Sequence, residues 1–384
     1  MNSARSRTKR ISIGHTIYSF KDGGMERGLL NVINHSDPER FRHVILCLTE
    51  SGAFVEHLKA PDCLVVNLQK REGNDFRLPK RLADAARQYG LDILHARGWP
   101  TLVETAVAAL LANITTTVYG FHGKTIDDLQ GIGFVRRLAQ RLFIRSYSRI
   151  ITLNQLMASD FAGECGLPPN QVRIIPNGVD IHHFSPRADR SDLRKQFGLP
   201  PDRLILGNVA RLDPVKNHEM IIRTLPRLRQ HPSRPFVLLV GEGGHRPVLE
   251  ARIKSLGLTE DVRLLGYSEQ IPALLNCMDL YIQSSLYEGF SNTVLEAMAC
   301  GVPVMATQVG GTADLFSDGE QGFLFPSGDE AALVALIARL ADSPVLRRSM
   351  ADRARRHVVD RFSVKTMVQN YEALYEELAG SKPL

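Results

Sequence analysis

The sequence predicts an α/β protein with two doubly wound, Rossmann-like domains, each built on a parallel sheet. Short β-branched runs alternate with helical patterns, and the alternation stops at a polar, proline-rich segment before it restarts. The chain has 384 residues, which is more than one hydrophobic core usually organises. We therefore place one domain at residues 1–185 and a second at residues 186–363.

Apolar runs in the first half predict strands without strict alternation, as expected when helices cover both faces of a sheet. These strands are expected at 11–17, 43–48, 63–68, 92–95, 115–119, 149–152 and 172–175, with helices at 25–34, 78–89, 102–112 and 134–147. The second half predicts strands at 204–210, 236–240, 262–265, 280–283, 302–306 and 322–325.

The turn signal at Pro176-Asn177-Gly178 and the polar stretch that follows predict a linker near residues 176–202. Ligands of doubly wound sheets bind beyond the carboxyl ends of the strands, so we expect a cleft between two facing domains. The last helix, within residues 364–384, has the apolar spacing of a packed helix. Periodicity does not say which domain this helix covers, and the helix could pack back on the first domain.

Composition excludes several classes of protein. The 47 basic and 41 acidic residues leave a formal charge of +6, too mild an excess to name an anionic partner. Five widely spaced cysteines without a CxxC pair argue against a disulfide framework or a zinc cluster and fit a reducing compartment. Because no apolar stretch approaches the roughly 20 residues of a spanning helix and no signal peptide is evident, we expect a cytoplasmic protein.

The segment from Glu288 to Glu296 carries the most informative pattern. It follows a predicted strand and opens a predicted helix at 294–300, whose first N–H groups suit a phosphate. The two carboxylates could grip hydroxyl groups on either side of that phosphate. Thr293 also allows a capping box in which Glu296 only satisfies a backbone N–H. The local pattern leaves both interpretations of Glu296 open, and Glu288 fits plain solvation equally well.

Two cations flank a proline turn after the first strand of the second half. Arg211 and Lys216 could straddle a diphosphate, the first as a planar fork and the second as a point charge. An exposed loop with scattered charges is the alternative.

Glycines and histidines mark other strand ends. Gly23 and Gly24 let a ligand approach the backbone, although a tight turn alone would explain them. The segment 241–244 is also glycine-rich, but neither segment has the GxGxxG spacing of dinucleotide binders. His122, between two glycines, could hydrogen-bond a ligand near neutral pH or have no role. The other histidines at predicted strand ends are His15 and His95.

The stretch from Phe134 to Tyr147 predicts a basic amphipathic helix. Its apolar side packs on the sheet in one interpretation and lies on an anionic membrane surface in the other. The opposite side carries the arginines Arg136, Arg137, Arg141 and Arg145.

Taken in order, these segments resemble the retaining group 1 (family-4) glycosyltransferases of the GT-B fold. The likeness covers nearly the whole chain. It is carried by Gly23-Gly24, His122-Gly123, Ile175–Asp180, Arg211 with Lys216, Val240–Gly243, Leu265–Tyr267, Glu288–Glu296 and Ala297–Val304. The first half is also similar to sugar transferases of bacterial exopolysaccharide gene clusters, through residues 23–27, 48–52 and 73–75.

The resemblance implies a nucleotide-diphosphate sugar as donor, UDP- or GDP-linked, with no cofactor and no metal. It assigns the donor's diphosphate to Arg211 and Lys216, its ribose hydroxyls to Glu296, and the ring of the transferred sugar to Glu288. The acceptor would be a glycan, a lipid-linked molecule or a small molecule, and nucleic acid is not expected as a partner.

The remaining roles also follow from the resemblance. His122 would hydrogen-bond the donor sugar from the first domain, and the backbone at Gly23 and Gly24 would meet the phosphate. Three amides at the start of the predicted helix would approach the sugar and the phosphate, those of Phe290, Ser291 and Asn292. The family commonly has glycine where Ser291 stands, and also after the lysine, where this chain has Asn217.

We expect His122, Glu288, Arg211 and Lys216 to be catalytic. Breaking a sugar–phosphate bond puts charge on the leaving diphosphate, and both cations would stabilise that charge. Two other functions stay open at this point. One is a sugar-nucleotide epimerase on the same fold, and the other is a basic membrane-binding protein without enzymatic activity. Peripheral contact with the inner face of the cytoplasmic membrane is a further expectation, based on the basic helix and the basic N-terminus.

Overall fold

The computed structural model describes residues 9–21, 23–123 and 133–380. The chain divides into two compact units, one formed by residues up to Gly178 together with those from Val364 onward, and the other by Val179–Ser363. The boundary after Gly178 lies earlier in the chain than the predicted boundary after residue 185.

The first unit contains a parallel sheet with the order β3-β2-β1-β4-β5-β6-β7 among the described residues. Its strands are β1 (Ile11–Ile17), β2 (Phe41–Cys47), β3 (Leu64–Asn67), β4 (Ile93–Arg97), β5 (Thr116–Phe121), β6 (Arg149–Thr152) and β7 (Val172–Ile174). The strand order reverses between β1 and β4, where Ile13 pairs with Ile93 and His15 with His95. Such a switch point is where doubly wound sheets bind ligands.

The second unit contains a parallel sheet with the order β10-β9-β8-β11-β12-β13. Its strands are β8 (Ile205–Val209), β9 (Phe236–Val240), β10 (Val262–Gly266), β11 (Leu280–Gln283), β12 (Val304–Thr307) and β13 (Gly322–Phe325). Its switch point lies between β8 and β11. Two parallel-sheet α/β units confirm the predicted fold class.

Helices cover the faces of both sheets. The first unit has α1 (Gly24–His35), α2 (Leu78–Gln88), α3 (Leu102–Ala112), α4 (Phe134–Phe143) and α5 (Gln155–Cys165). The second has α6 (Arg190–Gln196), α7 (His218–Leu228), α8 (Arg246–Ser255), α9 (Ile271–Cys277), α10 (Asn292–Ala299), α11 (Glu330–Asp342) and α12 (Pro344–Arg361). The chain then returns to the first unit through α13 (Val364–Gly380).

Helix α13 belongs to the core of the first unit. Its residues Met367, Tyr371, Leu374 and Tyr375 are buried against Ile13, Ile93 and Val118 of the sheet. Apolar residues recurring at helical spacing along α13 give it a continuous buried stripe. This contact explains why the final helix is counted with a unit whose other residues lie almost 200 positions earlier.

The polar segment predicted as a linker is in part folded. It contains α6, and the guanidinium groups of Arg190 and Arg194 donate hydrogen bonds to backbone oxygens of Asn276 and Cys277. The run of charged residues made this stretch look uniformly solvated in the sequence, but these guanidinium groups bond to the backbone of the second unit. In the described part of the chain, no helix combines the length and the apolar character that crossing a membrane requires.

Candidate functional site

The switch point of the second sheet brings two of the predicted site residues together. Lys216 lies in the turn between β8 and α7, and Glu288 lies in the loop between β11 and α10. Because β8 and β11 are adjacent parallel strands, both loops leave the sheet at the same edge. The Lys216 Nζ and the Glu288 Oε2 are 2.7 Å apart.

Glu288 is held by two further side chains. The Gln283 Nε2 and the Ser285 Oγ each donate a hydrogen bond to Oε2, both at 3.1 Å. The Glu288 side chain is only 10% exposed and that of Lys216 only 24%. A pair this buried depends on such additional hydrogen bonds to offset the loss of water. The described residues place all three bonds on Oε2 and none on Oε1, so Oε1 keeps its capacity to accept from a ligand.

Arg211 stands apart from this pair. Its side chain is 67% exposed, and its one ion pair among the described residues is with Asp213, at 3.4 Å. Asp213 also accepts a hydrogen bond from the Val215 backbone N–H and so shapes the turn that presents Lys216. The structure therefore brings Lys216 and Glu288 together but leaves Arg211 as an exposed cation on the same loop.

The glycine-rich segment after β9 positions the Arg211 loop. Ala210 N–H donates to the Val240 oxygen at 3.0 Å, and Leu212 N–H donates to the Glu242 oxygen at 2.9 Å. A Cβ at Gly241 would lie 2.0 Å from the Ala210 oxygen, and one at Gly243 would lie 2.2 Å from the Leu212 oxygen. These two glycines are required because two backbones meet there. The glycines at 241 and 243 are thus explained by packing, without a nucleotide bound at this segment.

Backbone contacts also join the loops after β8 and β11. The Ser284 hydroxyl lies 2.9 Å from the carbonyl oxygens of both Lys216 and Asn217, and Leu286 N–H donates to the Val215 oxygen at 2.7 Å. Asn217 adopts the left-handed conformation, with φ 50° and ψ 44°. Glycine adopts this conformation at the least cost and asparagine is the usual substitute, which accounts for the departure from the family pattern at this position.

A third loop, after β12, fixes the backbone of Glu288. Gly311 N–H donates to the Glu288 oxygen at 2.9 Å, and a Cβ at Gly310 would lie only 1.9 Å from the same oxygen. Sequence reasoning missed Gln283, Ser285 and Gly310. The glycine pair at 310–311, a few residues after the strand predicted at 302–306, was the available signal for the last of these.

Helix α10 begins at Asn292, two residues before the predicted start, with Ser291 as the N-cap residue and no side-chain capping bond. Thr293 lies inside the helix, where its hydroxyl pairs with the Tyr281 hydroxyl at 2.8 Å. Thr293 is therefore not an N-cap residue, and the capping-box interpretation of Glu296 was wrong. Glu296 is half-buried on the first turns of α10.

The first turn of α10 provides N–H groups that have no acceptor within the helix. They belong to the segment in which Ser291 and Asn292 were predicted to approach a donor. Phe290, just before it, packs against the core of the second unit and anchors the start of the helix.

In the first unit, Gly23 and Gly24 lie at the start of α1. Gly23 is the N-cap residue, in an extended conformation with φ −168°, and Gly24 is the first helical residue. Neither has the positive φ that would require glycine, and a Cβ at Gly23 would lie 2.3 Å from the Glu26 Oε2. The approach of a ligand to this backbone stays a prediction.

His122 directly follows β5, and both of its ring nitrogens are buried without a hydrogen-bond partner in the described residues. Burial, with the nearby Arg97 guanidinium, lowers the pKa of His122 to about 3. His122 is therefore neutral at physiological pH. His15 and His95 were expected at strand ends, but they lie inside β1 and β4 and are fully buried.

Helix α4 exposes the side that was expected to pack on the sheet. Phe134 and Val135 are each 80% exposed, and Leu138 and Leu142 are also exposed, whereas Gln140 is buried. Two of the arginines turn toward the protein instead. The Arg136 guanidinium lies over the Trp99 ring at 4.7 Å, and Arg141 donates to the Glu164 oxygen at 2.8 Å. The packed-face interpretation of this helix was wrong.

The part of the chain that the structure describes contains no group of three or more His, Cys, Asp or Glu side chains arranged to hold a metal ion. The prediction of a metal-independent reaction stays a prediction.

Comparisons with known proteins extend this picture. A family model described as "Glycosyl transferases group 1" matches residues 189–357, and one described as "Glycosyltransferase Family 4" matches residues 22–183. The chain is 25% identical to UDP-Gal:alpha-D-GlcNAc-diphosphoundecaprenol alpha-1,3-galactosyltransferase of Escherichia coli, covering 98% of this chain and 100% of that one. It is 27% identical to N-acetyl-alpha-D-glucosaminyl L-malate synthase of Bacillus anthracis over 79% of each chain.

Among solved structures, the chain resembles HepE of Anabaena, crystallised in complex with UDP-glucose. The TM-score is 0.80 at 25% sequence identity, and the match covers 96% of this chain and 100% of that one.

Proposed function

Because this chain belongs to the group 1, family-4 glycosyltransferases and transfers a sugar from a nucleotide sugar on a GT-B fold, we propose that the switch point of its second sheet is the donor site of a retaining enzyme. The observation that carries the proposal is the part-buried pair of Lys216 and Glu288, 2.7 Å apart at the edge where β8 and β11 end. A cation and a carboxylate side by side suit a phosphate and the sugar hydroxyls attached to it.

The cations stabilise the leaving group. When the bond between the sugar and the diphosphate breaks, negative charge grows on the diphosphate oxygens. Lys216, Arg211 and the first N–H groups of α10 meet that charge, and fixed donors of this kind lower a barrier by several kcal/mol. Arg211 is exposed and lightly held, so it can turn toward a bound diphosphate at little cost.

The carboxylates orient the donor. The Glu288 Oε1 accepts from hydroxyls of the transferred sugar while Oε2 stays with Lys216, and Glu296 on α10 accepts from the ribose. His122, which burial keeps neutral, is a further hydrogen-bonding group that we propose for the donor sugar. The solved relative contains UDP-glucose, so we take a UDP-linked sugar as the donor.

The reaction proceeds with retention and without a protein nucleophile. The acceptor hydroxyl attacks the sugar carbon on the face that the phosphate leaves. As the new carbon–oxygen bond forms and the carbon–phosphate-oxygen bond breaks, the hydroxyl proton passes to the departing phosphate oxygen. No cofactor or metal ion enters this step.

The acceptor is a lipid-linked diphosphate sugar in the assembly of a bacterial exopolysaccharide or other cell-surface polysaccharide. The Escherichia coli relative, whose match covers 98% of this chain and 100% of that one, is named for such an acceptor, a diphosphoundecaprenol-linked sugar. An acceptor of this kind lies at the cytoplasmic face of the membrane.

Helix α4 brings the enzyme to that surface. Its exposed side carries Phe134, Val135, Leu138 and Leu142, and the chain has a net charge of +6. Apolar side chains insert into the headgroup region while basic residues attract anionic lipid. In sedimentation with anionic vesicles, the double variant Phe134→Ser/Leu138→Ser should bind several-fold less than the native protein. Unchanged binding would rule this helix out.

Donor turnover tests the proposed site. Glu288→Gln keeps the size of the side chain but removes its charge, and Lys216→Ala removes the cation. Each should lower kcat/KM for sugar transfer by about 100-fold, which is typical for the loss of one charge-stabilising group. Lys195→Ala, on the exposed face of α6, is the matched control and should transfer at the native rate.

Native rates in both site variants would refute the assignment. The epimerase alternative predicts conversion of the nucleotide sugar without any acceptor, so an acceptor-free incubation separates the two reactions. No observation in the structure favours that alternative.

A further inference from the structure

Among the residues that the structure describes, a buried arginine in the first unit has no ionic partner. Arg97 is the last residue of β4 and is 1% exposed. Its Nε and Nη2 atoms are buried and have no hydrogen-bond acceptor among the described residues. A guanidinium stays charged at all physiological pH values, and burying a charge without a partner is costly. An acidic group from outside the described residues is therefore expected to balance it.

The described neighbours of Arg97 do not supply negative charge. Its Cζ lies 5.5 Å from the centre of the Tyr371 ring, and the side chains around it include His15, His95 and Tyr375. His95 Nδ1 is 2.8 Å from the Tyr375 hydroxyl. Burial and the Arg97 charge keep the pKa of His15 and His95 well below the usual value, so both rings are neutral. Water could satisfy the N–H groups, but it would not neutralise the charge.

The two free N–H groups lie on one edge of the guanidinium, because Nε and Nη2 point the same way. This edge forms the paired hydrogen bonds that arginine makes with a carboxylate or a phosphate. The second unit contains a completed example, in which Arg187 donates from Nε and Nη2 to the two carboxylate oxygens of Asp189 at 3.1 and 2.8 Å. Arg97 has the same edge available and no such partner in the described chain.

Arg97 also lies where ligands are expected. Strand β4 borders the switch point of the first sheet, and Arg97 pairs in register with Gly120 of β5. A Cβ at Gly120 would lie 2.8 Å from the His122 Nε2 and 3.3 Å from the His95 Nε2. Because Gly120 has no side chain, the His122 ring can lie close to His95. Arg97 and His122, the residue predicted to bind the donor sugar, are therefore at the ends of adjacent strands.

We propose that Arg97 binds an acidic group of the acceptor, a phosphate or a carboxylate, at the switch point of the first sheet. This inference rests on the proposed function, because it assigns the acceptor to the first unit. On this proposal, the enzyme recognises only acceptors that carry a phosphate or a carboxylate. A neutral sugar would leave the buried cation unbalanced.

Three variants of the full-length protein test the proposal. Arg97→Met removes the charge, and Arg97→Lys keeps the charge but loses the paired Nε and Nη2 donors. Lys216→Met is the comparison, because it removes a cation that has a carboxylate partner. UDP at saturation first occupies the donor site, and inorganic phosphate or acetate is then titrated by calorimetry. The native protein should bind one of the two anions; Arg97→Met should bind it at least about tenfold more weakly, and Arg97→Lys should fall between them.

Thermal unfolding without ligand distinguishes anion binding from a structural role, because the two roles of Arg97 predict opposite shifts in unfolding temperature. Arg97→Met should unfold at the native temperature or above it, because it relieves an unbalanced charge. Lys216→Met should unfold at a lower temperature, because it leaves Glu288 unpaired. With a diphosphate-linked lipid acceptor, Arg97→Met should raise the acceptor KM about tenfold and leave the donor KM unchanged.

Two results would overturn the inference. One is native anion binding in Arg97→Met, and the other is a lowered unfolding temperature in Arg97→Met with an unchanged acceptor KM, which would make Arg97 a structural residue. Failure of the native enzyme to transfer any sugar, with UDP still bound, would instead count against the proposed function. If Arg97→Met does not fold, the anion affinity of Arg97→Lys decides the question.

Discussion

Each of the two sheets has a cation beside the reversal of its strand order, part-buried Lys216 in one and fully buried Arg97 in the other, but the surroundings of the two charges differ. In the second unit Lys216 meets Glu288 at 2.7 Å, and Gln283 and Ser285 support the carboxylate. In the first unit Arg97 has no carboxylate partner within the described residues, and neutral histidines surround it. The paired charge is stable without a ligand, and the unpaired charge gains most when an anion binds.

The two switch points are also built differently. The loops of the second unit are joined by backbone hydrogen bonds, such as Leu212 N–H to the Glu242 oxygen, and by glycines that allow this approach. The first unit relies on buried side chains, with His15 and His43 nitrogens 2.9 Å apart and His95 against Tyr375. The stability of the second unit should therefore be most sensitive to atoms added in its loops. The stability of the first unit should be most sensitive to protonation of its buried histidines.

The largest effect is expected from adding one methyl group to a loop of the second unit. In Gly243→Ala the new Cβ would lie 2.2 Å from the Leu212 oxygen, so the loop that carries Arg211 must shift. Overpacking of this kind costs about 1–3 kcal/mol of unfolding free energy. Thermal unfolding followed by circular dichroism should show the loss, and UDP should bind more weakly.

Gly244→Ala is the matched control, because a Cβ there meets no atom within 4 Å. Its unfolding temperature and UDP affinity should equal those of the native protein. The single tryptophan, Trp99, lies in the first unit, so its fluorescence transition should move in neither variant. Equal destabilisation by the two alanines would mean that close backbone contact does not shape this loop.

Acid should weaken the first unit. Burial, then the Arg97 charge, lowers the pKa of His43 to about 4 and that of His122 to about 3. Unfolded histidines bind protons below a pKa of about 6.5, so between about pH 6.5 and pH 4 the unfolded state binds more protons than the folded state. The free energy of unfolding is therefore complete above pH 6.5 and falls as the pH drops, by up to about 1.4 kcal/mol per pH unit for each such histidine.

Urea unfolding followed by Trp99 fluorescence at pH 7, 6 and 5 measures this loss. His43→Gln removes one titrating group and should reduce the slope by about one proton. A free energy that stays constant or rises as the pH falls would show that these histidines bind protons in the folded protein at least as readily as in the unfolded chain.

The sequence predicted the sheets well because buried parallel strands are short, continuous apolar runs, which are easily recognised in a sequence. Lys216 and Glu288 were identified by their positions after strands, which a parallel sheet converts into proximity. Arg97 was not singled out, because a basic residue at a strand end looks solvated in the sequence, whereas in the structure it is buried with Tyr371 of α13 packed against it. The exposed apolar side of α4 was misjudged because periodicity identifies an amphipathic helix but not the direction its apolar side faces.

The smallest effect concerns a position where two residue types suit one backbone conformation. Asn217 has φ 50°, and its side chain makes no capping bond to α7, so Asn217→Gly should change the free energy of unfolding by less than about 0.5 kcal/mol. Asn217→Ala has a Cβ but no polar side chain to support the left-handed conformation, and it should lose about 1–2 kcal/mol. Denaturant unfolding of the three proteins, read by circular dichroism, compares them directly. If alanine were as stable as glycine, backbone conformation would not be the reason for asparagine after Lys216, and a contact with the donor would have to be sought by measuring UDP affinity in the same variants.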